Sequence, residues 1–455
     1  MSRSAKSRHP DKRIPIGIWA QWGEGVKWSN EGMIRLLGFL IEGIVHNPRY
    51  MYRVVVPDWV RVEAEEDLRS LKARIGSDFT IHSPGDHGMR GARMGDLVDF
   101  ANDYVEVEGW ISIFPFFDLA AGLDKPLTVI FPDAITNVFH EFSDTAWGVK
   151  GVHAELERKM RRSLARADRV ITFSKHVRDK QLEPIFGFPA NKVSVVPHAP
   201  PDIAEALPFV KGRRRTEESV ALAGAILRDH AATKDWDYLR NYPFEQAPFV
   251  AVSTQDRVTK NIAIVVESVL RLVREQRRDL KIFTTAPLHF GANWTALPGT
   301  IERRQSLRDL VSVKDLPRRE HAALMHCASL VVHASLFEGG HAPFPFYEAV
   351  SVGTPCLMAT GPHMTELLED EPNLAQFTFR PNDRDGLAQL IVATLERRDE
   401  AVAVQQQVFE RLRKRSWAEV SSAYAEAAIK AGLGYTGGKR SKMQLAGGSV
   451  TPAGV

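Results

Sequence analysis

Two short runs concentrate the side chains that could do chemistry. In the first, Ser253-Thr254-Gln255-Asp256-Arg257-Val258-Thr259-Lys260-Asn261 follows an apolar stretch and leads into an amphipathic one. A planar guanidinium fork at Arg257 and a compact ammonium at Lys260 both suit phosphate oxygens. A basic pair at a helix start opposes the helix dipole, so it needs an anion beside it. The second run, His333–Ala349, reads HASLFEGGHAPFPFYEA. Gly339 and Gly340 leave backbone N–H groups able to come close to a sugar or a phosphate. Glu348 falls near the start of a helix expected from Tyr347, where the dipole favours a carboxylate that can accept hydrogen bonds from a ribose diol. Alone, that glutamate reads first as an acid complementing the dipole. His341 alone reads as a solvent-exposed loop histidine; within the run it is a candidate partner for a sugar hydroxyl.

Short apolar runs alternating with helical patterns must position these groups. Ile14–Trp22, Tyr52–Val56, Phe79–His82, Gly109–Phe114, Leu127–Phe131, Arg169–Phe173 and Val193–Pro197 read as strands. Helices are expected at 31–45 and His153–Ala167. The pattern restarts after a basic connection, Lys211–Arg215. Strands are then expected at Phe249–Ser253, Lys281–Thr285, Val311–Val313, Leu330–His333 and Cys356–Ala359. Helices are expected at Glu217–Ala232, Asn261–Glu275, Tyr347–Val352, Gly386–Arg397 and from Asp399 to Ala431. Continuously apolar strands alternating with helices imply parallel sheets covered on both faces. The fold class is therefore α/β, with two Rossmann-like, doubly wound domains at 14–200 and 201–433. The last helix is a candidate to pack back on the first domain. Ligands of such folds bind where the carboxyl ends of the strands face the cleft.

Composition narrows the classes. The chain has 455 residues, 44% hydrophobic and 25% charged, which excludes a wholly disordered or fibrous protein. Its net charge of +3 divides into +4 at residues 1–13, +3 at 434–455 and −4 over the body. Both ends read as disordered cationic tails, able to touch an anionic membrane weakly. The first 13 residues lack the apolar core of a secretory signal, and no stretch is long enough to span a bilayer. A cytoplasmic protein, peripheral at most, is expected. Cys327 and Cys356 stand without a CxxC or Cys/His cluster, so neither zinc nor a disulfide framework is expected. The body has no basic excess and no aromatic-interleaved basic platform, so nucleic acid is not an expected partner. A dinucleotide fingerprint would need Gly-x-Gly-x-x-Gly after the first strand, and Gly23 and Gly25 are followed by Trp28.

The run from Ser335 to Pro355 resembles the donor-site signature of retaining glycosyltransferases of family four, the glycosyl transferases group 1, which have the GT-B fold. The matching positions are Ser335, Glu338, Gly339, Glu348, Ala349, Gly353, Thr354 and Pro355. Nine residues separate the two glutamates, against the family's usual seven, so the loop before the helix is lengthened and the donor-sugar pocket reshaped. The segment 253–261 resembles the family's diphosphate clamp, with two residues between Arg257 and Lys260 in place of four. Leu127–Asp133 resembles a strand that ends in His-Asp in many relatives; Pro132 replaces the histidine and Asp133 matches. No histidine contact is carried over.

The resemblance implies a metal-independent, retaining hexosyltransferase that needs no cofactor. Its donor would be a GDP- or UDP-linked mannose or glucose, and its acceptor a glycan or lipid-linked intermediate of cell-surface polysaccharide synthesis. Arg257 and Lys260 would neutralise the leaving diphosphate, with Ser253 and Thr254 nearby, and Glu348 would hold the ribose. Glu338, Gly339, Gly340 and His341 would hold the sugar, Gly23 and Gly25 would sit where the first loop approaches the phosphates, and Asp133 would lie on the acceptor side. A catalytically silent module of the same fold, scaffolding a glycan-assembly complex, is the alternative.

Overall fold

The computed structural model describes residues 13–432 except 27, 29–31, 46, 76–78, 90, 140–150, 235, 256 and 287–308. Residues 1–12, the expected tail at 434–455, and Asp256 thus lie outside the described residues.

The first seven strands are β1 (Ile14–Trp19), β2 (Tyr50–Val55), β3 (Phe79–His82), β4 (Gly109–Ser112), β5 (Leu127–Ile130), β6 (Arg169–Thr172) and β7 (Val193–Val195). They form one sheet in the order β3-β2-β1-β4-β5-β6-β7, and every pairing is parallel. The next six are β8 (Phe249–Val252), β9 (Lys281–Thr284), β10 (Leu310–Ser312), β11 (Leu330–His333), β12 (Cys356–Ala359) and the two-residue β13 (Thr378–Phe379). Their order is β10-β9-β8-β11-β12-β13, again all parallel. β4, β5, β8, β11 and β12 are buried at every position, as expected for strands covered on both faces.

Two apolar cores follow the two sheets. One runs from Ile16 to Ala199 and the other from Ile203 to Phe409. The final helix, Trp417–Gly432, belongs to the first core, contributing Val420, Tyr424, Ala425, Ala427 and Ala428. Ser421 Oγ donates to the Leu40 carbonyl at 2.7 Å, and Tyr52 Oη to the Ser421 carbonyl at 3.0 Å, so the return is pinned by buried hydrogen bonds. Cys327 and Cys356 are both buried and free. Among the described residues no helix is long and apolar enough to cross a membrane.

Each sheet has one place where the strand order reverses: between β1 and β4 in the first, between β8 and β11 in the second. Chains leave the two flanking strands in opposite directions there, opening a crevice at their carboxyl ends. The loop after β8 carries Ser253–Lys260, and the loop after β11 carries Ser335–His341. Topology alone therefore brings together the two runs singled out in the sequence.

Candidate functional site

Lys260 closes a 3-10 turn, Val258–Lys260, directly before the helix Ile262–Glu275. Asn261 caps that helix in the left-handed region (φ 49°), held there by a 2.8 Å bond from Nδ2 to the Pro381 carbonyl. Leu336 N donates to the Thr259 carbonyl at 2.8 Å, stitching the two loops edge to edge. Lys260 Nζ lies 2.6 Å from Glu338 Oε1, and His333 Nε2 lies 3.1 Å from the same oxygen. Burial pushes the Glu338 carboxyl up, but Lys260 and His333 outweigh it and hold it well below the usual carboxylate range. The anion that a cation at a helix start requires is thus supplied by the protein itself.

Glu348 is wholly buried, and one of its oxygens pairs with Arg35 from the helix Gly32–Ile44 of the first domain. Its other oxygen, Oε2, has no hydrogen-bond partner among the described residues. The helix that carries it spans Phe344–Ser351, three residues earlier than the expected start at Tyr347. Glu348 therefore sits beyond the first turn, and the helix dipole does not explain its charge. Burial raises its pKa, and Arg35 and His321 more than offset that, leaving it below the ordinary value. His321 Nε2 is in turn 2.9 Å from Ser253 Oγ. Thr254 is fixed through its backbone: its N–H donates to Thr285 Oγ1 at 2.8 Å, and its carbonyl accepts from that hydroxyl at 3.0 Å.

The second domain touches the first across Gly339. A Cβ there would come within 1.8 Å of the Pro132 carbonyl oxygen, and the Gly339 carbonyl accepts from Ser174 Oγ at 3.1 Å. Glycine is required at this position by a backbone-to-backbone approach between domains. Gly340, beside it, meets the His198 ring only at ordinary contact distance. The same approach places Asp133 in the electrostatic field of Glu338, Lys260 and Arg257. Burial lifts the Asp133 carboxyl to about 6, against a backbone hydrogen bond from Ile135 N, and the Glu338 charge adds to the rise.

His341 corrects one expectation: it is buried, with Nε2 2.9 Å from Asp370 Oδ2 and Nδ1 unpartnered. Arg257 is exposed, and its charge is felt at Asp133. Gly23 and Gly25 lie in an exposed turn after β1, with Gly25 at φ 76°. Four contributors escaped the sequence reading: Arg35, His321, His333 and His363. His333 ends a strand already marked and opens the run His333–Ala349, which was the available signal, whereas His321 lies on the helix Arg318–Cys327, outside the elements expected from sequence. Arg35 lies 313 positions from its partner and carried none.

Comparison with known proteins adds to this geometry. Residues 248–397 match the family model described as glycosyl transferases group 1, a segment that contains Lys260, Glu338 and Glu348. No curated protein matches the chain significantly. Among solved structures, HepE of Anabaena in complex with UDP-glucose aligns over 91% of this chain and 99% of that one, at 15% identity and a TM-score of 0.62. The N-terminal domain of Candida albicans trehalose-6-phosphate phosphatase aligns over 94% and 99%, at 12% identity and a TM-score of 0.58. Sucrose-phosphate synthase of Thermosynechococcus elongatus aligns over 93% and 100%, at 13% identity and a TM-score of 0.55. The chain has the GT-B fold.

Proposed function

We propose that the protein is a metal-independent, retaining hexosyltransferase. It takes glucose or mannose from a UDP- or GDP-linked donor and passes it to a glycan or lipid-linked acceptor in cell-surface polysaccharide synthesis. It acts in the cytoplasm, with at most a weak contact of its cationic ends with the inner face of the membrane. The observation that carries the reading is the convergence of Lys260, Glu338 and the buried Glu348 on the segments that follow β8 and β11. Similarity to HepE, described in complex with UDP-glucose, favours a nucleotide-sugar as donor.

In this mechanism Glu348 Oε2 accepts a hydrogen bond from a ribose hydroxyl while Arg35 keeps the carboxylate ionised. The donor's diphosphate displaces Glu338 from Lys260, since two negative oxygens compete for one ammonium. The bond from the anomeric carbon to the β-phosphate oxygen breaks and leaves its electron pair on that oxygen. Lys260, with Arg257, neutralises the growing charge. Glu338, freed from the ammonium, and the loop to His341 hold the flattening sugar. The acceptor oxygen bonds to the anomeric carbon on the face the phosphate leaves, and its proton passes to the departing phosphate oxygen. Asp133 lies on the acceptor side.

The test is nucleoside diphosphate release from a panel of UDP-, GDP- and ADP-sugars with glycan acceptors. Turnover of one donor supports the reading. If none is turned over and none raises the melting temperature, the enzyme reading fails.

A further inference from the structure

After β12 the chain turns through Gly361 into a short 3-10 segment, Pro362–Met364. Its central residue, His363, is 4% exposed. Among the described residues it is the histidine whose two ring nitrogens are both buried and unpartnered. A buried polar atom without a partner costs about 1–3 kcal/mol, and native proteins rarely carry two on one ring. The ring is held in place: a Cβ at Gly361 would come within 2.7 Å of it, so the backbone there is bare to make room. The turn is also anchored to the other domain, because Glu366 accepts from the backbone N–H groups of Lys175 and His176.

His363 lies within electrostatic reach of the groups already assigned to the donor. The charges that reach it are those of Glu338, His333, His176 and Lys260. Burial lowers its pKa to about 4, so near neutral pH the ring offers one N–H donor and one lone pair. That combination suits hydroxyl groups, which can match both the donor and the lone pair, better than phosphate, which can match only the donor. We propose that His363 reads the donor hexose directly, donating to one sugar hydroxyl and accepting from another, and so takes part in choosing the sugar. The inference rests on the nucleotide-sugar reading of this site and adds a specificity residue to it.

The test compares sugar-bearing and sugar-free ligands by isothermal titration: UDP-glucose against UDP, and GDP-mannose against GDP. The chain is used whole, unaltered or as His363→Phe, which keeps a flat ring and removes both nitrogens, or His363→Gln, which restores a donor and an acceptor. For whichever nucleotide the unaltered chain binds, His363→Phe should hold the free diphosphate within about twofold and lose roughly 10- to 100-fold on the sugar-bearing form. His363→Gln should recover part of that loss, and melting temperatures should not fall. Equal affinities of the unaltered and His363→Phe chains for the sugar-bearing form would overturn the inference while leaving the donor site intact. Parallel losses on both ligands would also overturn it, since they would mark a structural role. If the unaltered chain binds neither pair, the nucleotide-sugar reading itself falls and takes this one with it.

Discussion

The two switch points are built alike and finished differently. At the carboxyl ends of β1 and β4 the loops are aromatic and pair several of their polar groups among themselves, and the unpartnered atoms there are the neutral indole nitrogens of Trp19 and Trp110 on the strands. Trp22 Nε1 donates to the Val26 carbonyl and Trp59 Nε1 to the Trp22 carbonyl, both at 3.0 Å. Trp28 is held by Glu63 and Asp67. The Trp22 ring lies 6.3 Å from Phe114 and 6.0 Å from Phe117. At the carboxyl ends of β8 and β11, and on the helix and turn beside them, charges are paired over long sequence distances and polar atoms are left over: Glu348 Oε2 and both nitrogens of His363. Leftover polar capacity in a buried crevice is what a polar ligand would satisfy. One crevice is a shaped wall; the other is an unfinished hydrogen-bond network.

The sharpest way to break that contrast is Lys260→Ala. Turnover should fall by roughly 10²–10³-fold with the fold intact, as when one charge-stabilising donor is lost from an active site. Near-normal rates would remove Lys260 from the clamp. Next in size is Glu348→Gln, which keeps the shape and removes the charge that faces Arg35. Nucleotide affinity should drop about tenfold, read by titration with the diphosphate that the unaltered chain binds. On the aromatic side, Trp59→Phe deletes one hydrogen bond to the Trp22 carbonyl. It should cost roughly 1 kcal/mol in denaturant unfolding and leave nucleotide binding unchanged; a loss of binding would show that the wall also touches the nucleotide.

The smallest effect expected is at Asp133, between the two regions. Its folded pKa of about 6 lies above the ordinary 3.8, so the fold favours its protonated form. That contribution is complete below about pH 4 and lost as the pH rises through 6. Asp133→Asn should therefore melt higher than the unaltered chain at pH 7.5, by roughly 2–4 °C, with the difference gone at pH 4. A gap that does not change with pH would remove Asp133 from the electrostatic group.

Much of the frame is legible in the residues because buried parallel strands are unbroken apolar runs. β3, β11 and β12 fall where expected, and most other ends differ by a residue or two. The two-residue β13 carries too little pattern to stand out. The start of the Glu348 helix is misplaced for a physical reason: the prolines of Pro343-Phe344-Pro345 read as loop, yet Pro345 occupies the first turn, where a missing N–H costs nothing. At the site, Lys260, Glu338 and Glu348 are legible because their types cluster in short runs. The partners that set the charge of Glu348 are not. Arg35 reaches Glu348 from the other domain, and no local pattern encodes a pairing across 313 residues. His363 shows no sign in sequence either, since its burial depends on Gly361 and on the docking of Glu366.

Hydrogen–deuterium exchange with and without saturating UDP or GDP tests the difference between the two crevices most directly. Slower exchange in the segments 253–262 and 334–366, with 20–26 and 113–118 unchanged, is the predicted result. Slower exchange confined to the aromatic segments 20–26 and 113–118, or no protection with either nucleotide, would contradict it.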